Sequence, residues 1–223
     1  EPQIPEAHPW TIMKKLSKEK EVIGMYVSGH PLDNFKTEIS YFCNASLDKL
    51  QHINQLEGSD LTLAGIVSDV QHRVTKNGKG WATFVLEDFT DSYEFKIFNE
   101  EYLKFRHFFV PNAFLFIKLK MARSWADGDV RAQFISMNLL QDVMQQMAQK
   151  ITVQVDISAL EEKKIDQLKL LTKKHAGDKK LYFQVFDAEK NVKVTMASQS
   201  TKVAISKELI DELEAFDLQF KVN

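Results

Sequence analysis

The order of strand and helix signals between residues 61 and 140 constrains the fold more than any other feature of the chain. Residues 61–74 form a long strand pattern that contains Gly65, and a glycine there suits a strongly coiled strand. Two further strands, one helix and a final strand pair follow. The predicted segments are strands at 81–87 and 93–98, a helix at 99–108, and strands at 113–125 and 130–139.

A long first strand, with a helix between the third and fourth strands, is the layout of the OB fold, a small Greek-key barrel. Another small β-barrel with a helical insert is the alternative. We therefore predict a multi-domain α+β chain. Its parts are an extended leader and helical connector over 1–58, a five-stranded OB-fold β-barrel over 59–142 and a small α+β domain over 150–223.

The connector before the barrel contains two predicted helices. The first runs from Ser17, which can cap its N-terminus, to about Val27. Gly29 provides its stop, and the second helix begins at Asp33 and runs to about Phe42. We expect the turn between the two helices to act as a hinge.

The last part of the chain alternates between strands and helices, which is typical of a compact α+β unit. Ser158 and Glu161 form the pattern of a capping box for a helix that ends near Gly177. Ser206 is predicted to cap a final helix that runs to about Ala215. Strands are predicted at 151–155, 181–185, 192–196 and 218–222.

Charge and cysteine content exclude several classes of protein. The 29 Lys and Arg residues nearly balance the 31 Asp and Glu residues, which argues against a protein that coats duplex DNA by charge alone. The single cysteine, Cys43, excludes an intramolecular disulfide and a Cys-rich zinc site. The central apolar run at 113–117 is far too short to span a membrane. We expect a cytoplasmic protein with no membrane partner.

Two carboxylate-rich segments could be taken for metal sites. The Asp-Gly-Asp segment at 127–129 would need further carboxylates converging on the same metal. Asp and Gly are also the residues that hairpin turns require, so we interpret this segment as a turn. Glu87, Asp88 and Asp91 stand at another strand end and receive the same interpretation.

The remaining reactive residue types do not form a catalytic pattern. None of the six histidines has metal-ligand spacing to another histidine or to Cys43, and His30, before Pro31, is predicted to hold a turn. Cys43 has no adjacent base in the sequence. Residues 77–80 lack the strand–loop–helix context of a phosphate loop. We predict no catalytic residue, no metal and no cofactor in this chain.

The outer face of the predicted barrel is the better candidate site. Alternate side chains of a strand face opposite sides, and one apolar set fits the interior: Ala82, Phe84, Leu86, Tyr93, Phe95 and Ile97. Trp81, Lys96 and Phe98 then line the outer face. OB folds bind single strands there, with bases stacked on aromatic rings and phosphates beside cations.

The two hairpin loops that flank this face add cations and a tryptophan. The candidate nucleic-acid-binding residues are Arg73, Lys76, Lys79, Trp81, Lys96, Phe98, Arg123, Trp125 and Arg131. The alternative is a mainly structural barrel, because exposed Lys and Arg on strand edges are ordinary solubility devices. Trp81 or Phe98 would then pack against a neighbouring domain.

Several short motifs carry a resemblance to a known family. Residues 26–33 read Tyr-Val-Ser-Gly-His-Pro-Leu-Asp within a longer segment, 19–35. The barrel region adds Ala-Gly-Ile-Val at 64–67, Thr-Lys-Asn-Gly at 75–78, Leu-Glu-Asp at 86–88, Lys-Ile-Phe at 96–98, Glu-Tyr at 101–102 and Lys-Phe at 104–105. Together they resemble the C-terminal region of the alpha subunit of bacterial replicative DNA polymerase III. The resemblance covers about 18–140, and the last eighty or so residues match in position and coarse pattern.

The resemblance implies a function without catalysis in this chain. Family members synthesise DNA with carboxylates of an upstream palm domain, so we expect a non-catalytic C-terminal fragment of a DNA-directed DNA polymerase. The OB module would bind single-stranded template DNA, and the last domain would bind the clamp-loader tau subunit. The sliding clamp would bind only through sequence upstream of this chain. A protein-interaction scaffold without nucleic-acid binding is the alternative, and a synthetase anticodon-binding domain is a third interpretation.

Overall fold

The computed structural model describes residues 10–124, 128–158, 162–187, 190 and 192–223. The chain divides into two compact units, Glu1–Leu140 and Gln141–Asn223. Each unit contains one sheet and its own buried apolar residues.

The first helix, α1 (Ile12–Ile23), begins earlier than the sequence predicts. The hydroxyl of Thr11 caps it by accepting a hydrogen bond from a first-turn amide at 3.3 Å. Gly24 ends it in the left-handed conformation with φ +85°, which glycine adopts without steric cost. The predicted start at Ser17 and stop at Gly29 are therefore wrong, because an equally good cap and another glycine stand earlier in the chain.

Two short helices replace the second predicted one. A 3-10 helix, Pro31–Phe35, leads into α2 (Lys36–Phe42). His30 begins the 3-10 helix in a capping box: its Nδ1 accepts a hydrogen bond from the Leu32 amide at 3.1 Å, and the Asp33 carboxylate accepts one from the His30 amide at 2.6 Å. The predicted turn role of His30 is confirmed. Burial lowers the pKa of His30, which favours the neutral ring that this bond requires.

Contacts with the sheet fix the segment that the sequence predicts to be a hinge. The His30 ring lies 5.2 Å from the Tyr26 ring and 4.5 Å from the Phe89 ring, between centroids. Lys20 of α1 forms an ion pair with Glu87 at a strand end. These contacts join the segment to α1 and to the β2–β3 connection, and the hinge stays a prediction.

The sheet of the first unit has the strand order β3-β2-β1-β4-β5 and is antiparallel throughout. Its elements are β1 (Asp60–Val74), β2 (Gly80–Glu87), β3 (Ser92–Phe98), α3 (Asn99–Phe105) with a 3-10 turn (Arg106–Phe108), β4 (Phe114–Arg123) and β5 (Val130–Leu139). Because β1 pairs with both β2 and β4, and α3 follows β3, this is the predicted OB fold. A 3-10 helix before β1, Leu47–Leu56, is absent from the sequence prediction.

Aromatic rings fill the interior of this barrel. The Phe84 ring stacks on Phe95 and Phe109, with centroids 5.3 and 4.5 Å away, and lies 6.0 Å from Phe134. Tyr93 is half-buried. The other five residues predicted to face inward are buried: Ala82, Phe84, Leu86, Phe95 and Ile97. The predicted alternation of β2 and β3 is confirmed.

Over its described residues, the second unit is a four-stranded sheet with three helices. Its elements are α4 (Leu140–Met147), β6 (Lys150–Asp156), α5 (Glu162–Lys174), β7 (Ala176–Asp187), β8 (Val192–Val203), α6 (Lys207–Ala215) and β9 (Phe220–Val222). The strand order is β8-β7-β6-β9, with β6 and β7 parallel and the other pairs antiparallel. Helix α4 is absent from the sequence prediction.

Caps of the second unit follow the prediction in part. The Ser206 hydroxyl accepts a hydrogen bond from the Leu209 amide at 3.4 Å and caps α6, as predicted. The predicted capping box of α5 includes Glu161, which lies outside the described residues. Ser158 instead donates its hydroxyl hydrogen bond to Asp156 at 2.7 Å.

Each sheet contains a glycine at which an added Cβ would meet backbone atoms of a neighbouring segment. A Cβ on Gly65 of β1 would lie 2.6 Å from Leu86 Cγ and 2.7 Å from the Glu87 carbonyl oxygen. A Cβ on Gly177 of β7 would lie 2.3 Å from the Ala204 amide nitrogen. Gly177 therefore allows close backbone approach inside a strand, and its predicted role as the stop of α5 is wrong.

Candidate nucleic-acid interface

One row of side chains crosses three strands on the outer face of the barrel. Arg73 of β1 is paired with Trp81 of β2, and Trp81 with Phe98 of β3. The Arg73 guanidinium lies 5.3 Å from the Trp81 ring centroid, and the Trp81 and Phe98 rings stack at 5.3 Å with an interplanar angle of 18°. Phe98 is 43% exposed. The row thus presents an aromatic surface beside a cation.

A second row lies two residues further along each strand. It consists of Gln71, Thr83 and Lys96. Gln71 Oε1 accepts a hydrogen bond from the Arg73 guanidinium at 2.6 Å, which links the two rows. Lys96 is exposed and lies 3.8 Å from Glu94, measured from Nζ to Oε1. The structure thus places four predicted site residues on one face: Arg73, Trp81, Lys96 and Phe98.

The β1–β2 loop adds two exposed lysines, Lys76 and Lys79, next to the first row. The loop is a turn, as predicted, because the Thr75 amide donates to the Lys79 carbonyl at 2.8 Å. Tyr102 of α3 packs against the base of this turn: a Cβ on Gly80 would lie 2.5 Å from Tyr102 Cε1. The tyrosine therefore positions the backbone beside Trp81, a role that its sequence position alone did not indicate.

The β4–β5 hairpin carries the other predicted cations. Arg123 donates from Nε to Glu57 Oε1 at 2.8 Å, from Nη2 to Glu57 Oε2, and from Nη1 to the Gly128 carbonyl at 2.7 Å. This hydrogen-bonded pair lowers the pKa of Glu57. Arg123 thus fixes the hairpin base, and its charge is offset. Arg131 is exposed on β5, and Trp125 lies outside the described residues.

The turn interpretations of the carboxylate-rich segments hold where the structure describes them. Gly128 has φ +78°, as a turn glycine does, whereas Asp127 lies outside the described residues. The Asp88 carboxylate accepts hydrogen bonds from the amides of Leu47, Thr90 and Asp91. These bonds use the acceptor capacity of Asp88 to hold a strand connection.

Other chemistry is limited in the part of the chain that the structure describes. There, no group of three His, Cys, Asp or Glu residues could hold a metal ion. Burial raises the pKa of the Cys43 thiol to about 12, so the reactive thiolate is scarce at neutral pH. Over the same residues, none of the helices has the length and apolar character needed to cross a membrane.

The second unit has an apolar groove that the sequence did not predict. Cross-strand pairing puts Val153, Phe183 and Met196 in one row of the sheet, and Val155, Val185 and Val194 in the next. At the β6 end these rows are buried. On β8, Val192, Val194 and Met196 are each about half exposed.

Between β8 and α5 lies a cavity of about 300 Å³. The side chains that line it include Ile165, Leu168, Lys169 and Thr172 of α5 and Phe183, Val185 and Met196 of the sheet.

Both units are similar in sequence to one protein, the alpha subunit of DNA polymerase III. Residues 151–223 match the family model described as DNA polymerase III alpha subunit, C-terminal domain. DNA polymerase III subunit alpha of Mycobacterium tuberculosis is 25% identical over 92% of this chain and 17% of its own length, and that of Thermus aquaticus is 27% identical over 83% and 15%. The subunit of Saccharopolyspora erythraea is 33% identical over 49% of the chain and 9% of its own length. The chain thus spans less than a fifth of these relatives.

Solved structures similar to part of this chain include nucleic-acid-binding proteins. The mitochondrial single-stranded DNA binding protein Rim1 from S. cerevisiae is 17% identical, covers 38% of this chain and 97% of its own, and has a TM-score of 0.29. RecG bound to a three-way DNA junction is 17% identical, covers 60% of this chain and 19% of its own, and has a TM-score of 0.28. The OB assignment itself follows from the strand order above. By sequence, the chain is similar to bacterial DNA polymerase III alpha subunits, and residues 151–223 match the C-terminal domain of that subunit.

Proposed function

We propose that the chain is a non-catalytic C-terminal part of a replicative polymerase alpha subunit that binds single-stranded template DNA on its barrel. The barrel is assigned to residues 59–142, and a tau-binding domain to 150–223. The observation that carries the proposal is the row of Arg73, Trp81 and Phe98 on the outer face. DNA synthesis itself is assigned to sequence upstream of this chain, as is binding of the sliding clamp, and the cytoplasm is the proposed location.

On this face, aromatic rings would stack on bases and cations would contact phosphates. An exposed ring such as Phe98 offers a π-face to any base, so binding of this kind tolerates any sequence. Arg73, Lys76, Lys79 and Lys96 lie where they can contact phosphates. Because the whole chain is nearly neutral, attraction is confined to this patch, and binding should weaken as salt rises.

Titration of a labelled oligothymidine, followed by fluorescence anisotropy, tests the proposal. Trp81→Ala with Lys96→Ala should weaken binding, and the ring alone should account for about 5- to 150-fold. Loss of the lysine should also make the slope of the logarithm of the binding constant against the logarithm of the salt concentration less steep by about 0.7. Phe98→Ala is the safer single variant, because this ring is 43% exposed and its removal leaves the core intact.

Lys120→Ala is the matched control, because Lys120 is an exposed lysine on β4, outside the three strands of the proposed face. It should bind like the wild type. Absence of binding at low salt, or full binding by both the double variant and Phe98→Ala, would contradict template binding. That result would favour the alternative, a protein-interaction scaffold whose barrel contacts no nucleic acid.

The groove of the second unit supports tau binding as the second part of the proposal. Its floor is apolar and half exposed at β8. The elements around it are basic, with ten lysines against five acidic residues between 162 and 203. An amphipathic tau segment with acidic flanks would cover the floor and complement these charges.

Two variants of β8 test where tau binds. Val194→Asp places a charge on the apolar floor and should weaken binding of the whole chain to purified tau by more than about ten-fold. Thr195→Asp adds the same charge to the opposite face of the same strand and should have little effect. Equal affinities for the two variants would exclude the groove, and no affinity of the wild type would exclude tau.

A further inference from the structure

Strand β8 is an open edge of the second sheet. Among the described strands it is outermost in the order β8-β7-β6-β9, and it has 12 residues. Every residue from 192 to 197 is exposed, and this stretch pairs residue by residue with 182–187 of β7. A strand edge presents N–H and C=O groups that can pair with another chain. The direction of these groups therefore decides what β8 can bind.

Hydrogen bonds of β7 show which of its backbone groups point away from β8. The Lys180 amide donates to the Gln149 carbonyl at 3.3 Å, and the Phe186 carbonyl accepts from the Ile157 amide at 3.0 Å. Both bonds lie on the β6 side, one at each end of that strand. Because backbone groups alternate sides along a strand, the even-numbered residues of β7 face β6, and its odd-numbered residues face β8.

The register of β7 and β8 carries this alternation to the outer edge. Phe183 and Val185 of β7 pair with Met196 and Val194 of β8. The N–H and C=O groups of these two β8 residues therefore bond to β7, and those of the alternate residues point out of the sheet. The outward set is Lys193, Thr195 and Ala197. In the part of the chain that the structure describes, no strand pairs with this edge.

Side chains and charge define the occupant that fits this edge. The half-exposed Val194 and Met196 end the two apolar rows of the groove, so a strand beside β8 would extend each row with a side chain of its own. Strand β8 contains two lysines and no acidic residue. Pairing with β8 of a second copy would bring lysines together with no carboxylate to offset them, whereas an acidic segment would be attracted.

We propose that tau adds an extended segment to the outer edge of β8, with apolar side chains over the groove and acidic residues near Lys193. The proposal rests on the tau binding proposed above and adds its mode. Main-chain hydrogen bonds to residues 193–197 supply affinity, and the apolar rows select alternate side chains of the segment. A helix laid into the groove would contact the same side chains but leave the outward amides of β8 in water. These amides therefore distinguish the two modes.

Amide exchange of the whole chain, measured residue by residue with and without purified tau, tests this mode. In the free chain, the outward amides of Lys193, Thr195 and Ala197 should exchange faster than those of Val194 and Met196, which donate to β7. In the complex this difference should disappear, because each outward N–H gains an acceptor. A difference that persists in the complex would overturn strand addition while tau binding stands.

Thr195→Pro tests the same edge by affinity. Proline removes the outward N–H, and edge strands accept proline where that N–H faces solvent. The variant should bind tau about ten-fold more weakly, because an acceptor on the added strand is left without its bond. Thr195→Val is the matched control. It removes the same hydroxyl, which accepts a hydrogen bond from Gln184 at 3.3 Å, but keeps the amide and should bind like the wild type.

The outcomes separate the mode of binding from the partner. If Thr195→Pro binds tau as tightly as Thr195→Val while Val194→Asp binds weakly, strand addition is overturned and the groove remains the tau site. If the outward amides become protected as the concentration of the chain alone rises, the edge pairs with a second copy and the proposal is overturned. The exchange experiment uses the wild type, so it decides the mode even where proline disturbs the hairpin. If the wild type has no affinity for tau, this proposal and tau binding both fall.

Discussion

The barrel of the first unit and the sheet of the second bury their apolar residues to different extents. In the barrel, apolar residues of all five strands are buried in one core cluster. In the second sheet, the apolar face is buried on β6 and half exposed on the edge strand β8. An enclosed interior constrains every residue in it, whereas an edge leaves apolar surface available to another molecule. The outer face of the barrel, with its cations and aromatic rings, and the apolar edge of the second sheet therefore present surfaces of different chemistry.

The largest expected effect is on the free energy of unfolding, and it is measured by replacing one phenylalanine in each sheet. Phe84→Ala removes a ring that is 1% exposed and stacked on two others, and should lower the free energy of unfolding of the barrel by about 3–5 kcal/mol. Phe183→Ala in the half-exposed groove should cost the second unit about 1–2 kcal/mol. Urea denaturation followed through amide signals of each unit measures both, and equal losses would remove the contrast between enclosed and open sheets.

A smaller loss of stability is expected from replacing a glycine that both sheets need because neighbouring atoms leave no room for a Cβ. Gly65→Ala and Gly177→Ala should each destabilise their own unit by about 1–3 kcal/mol, because backbone atoms of a neighbouring strand must move. Gly58→Ala controls for strain alone, since its φ is +79° and nothing lies within 4 Å of the added Cβ. A neutral result at Gly65 or Gly177 would show that the strand pair can separate freely there.

The smallest effect concerns the connector of the first unit and depends on pH. The Glu19 carboxylate accepts hydrogen bonds from the Ser28 hydroxyl and from the amides of Ser28 and Val27. These bonds lower the pKa of Glu19 from its ordinary value of 4.5 to about 2. Their contribution is therefore complete above pH 4.5 and is lost as the pH falls toward 2.

The protection factors of the Val27 and Ser28 amides, which are the exchange rates corrected for the intrinsic pH dependence of exchange, should fall over that pH range, with little change in either sheet. Glu19→Gln should show the faster exchange already at neutral pH. Glu21→Gln is the control, because Glu21 lies on the same helix and pairs with Lys18 instead. If Glu19→Gln leaves the exchange of both amides unchanged, the carboxylate does not hold this segment.

Local patterns explain why the barrel could be predicted in detail. The alternation of β2 and β3 identified both the interior and the residues of the outer face, because period-two patterns need no information from distant sequence. The predicted end of the first helix was wrong because two nearby glycines, Gly24 and Gly29, could each terminate it. The Glu57–Arg123 pair joins residues far apart in the sequence, so no local pattern could show that the charge of Arg123 is offset.

The second unit shows a different limit of sequence patterns. Its strands were predicted from alternation at Val192, Val194 and Met196, but alternation does not say whether a helix covers that face. The match of 151–223 to the alpha-subunit domain extends a relationship that the motifs carried only as far as residue 140. The exposure of the β8 side chains could therefore be seen only in the three-dimensional structure. The similarity of residues 151–223 to the alpha-subunit domain could be seen only by comparison with other sequences.

The tied segment between α1 and the barrel has a mechanical consequence. Glu19 holds the backbone at Val27 and Ser28, the His30 ring lies between Tyr26 and Phe89, and Lys20 bonds to Glu87. These contacts couple α1 mechanically to the barrel. A force that moves α1 would therefore move the barrel with it, and the outer face of the barrel would turn together with α1.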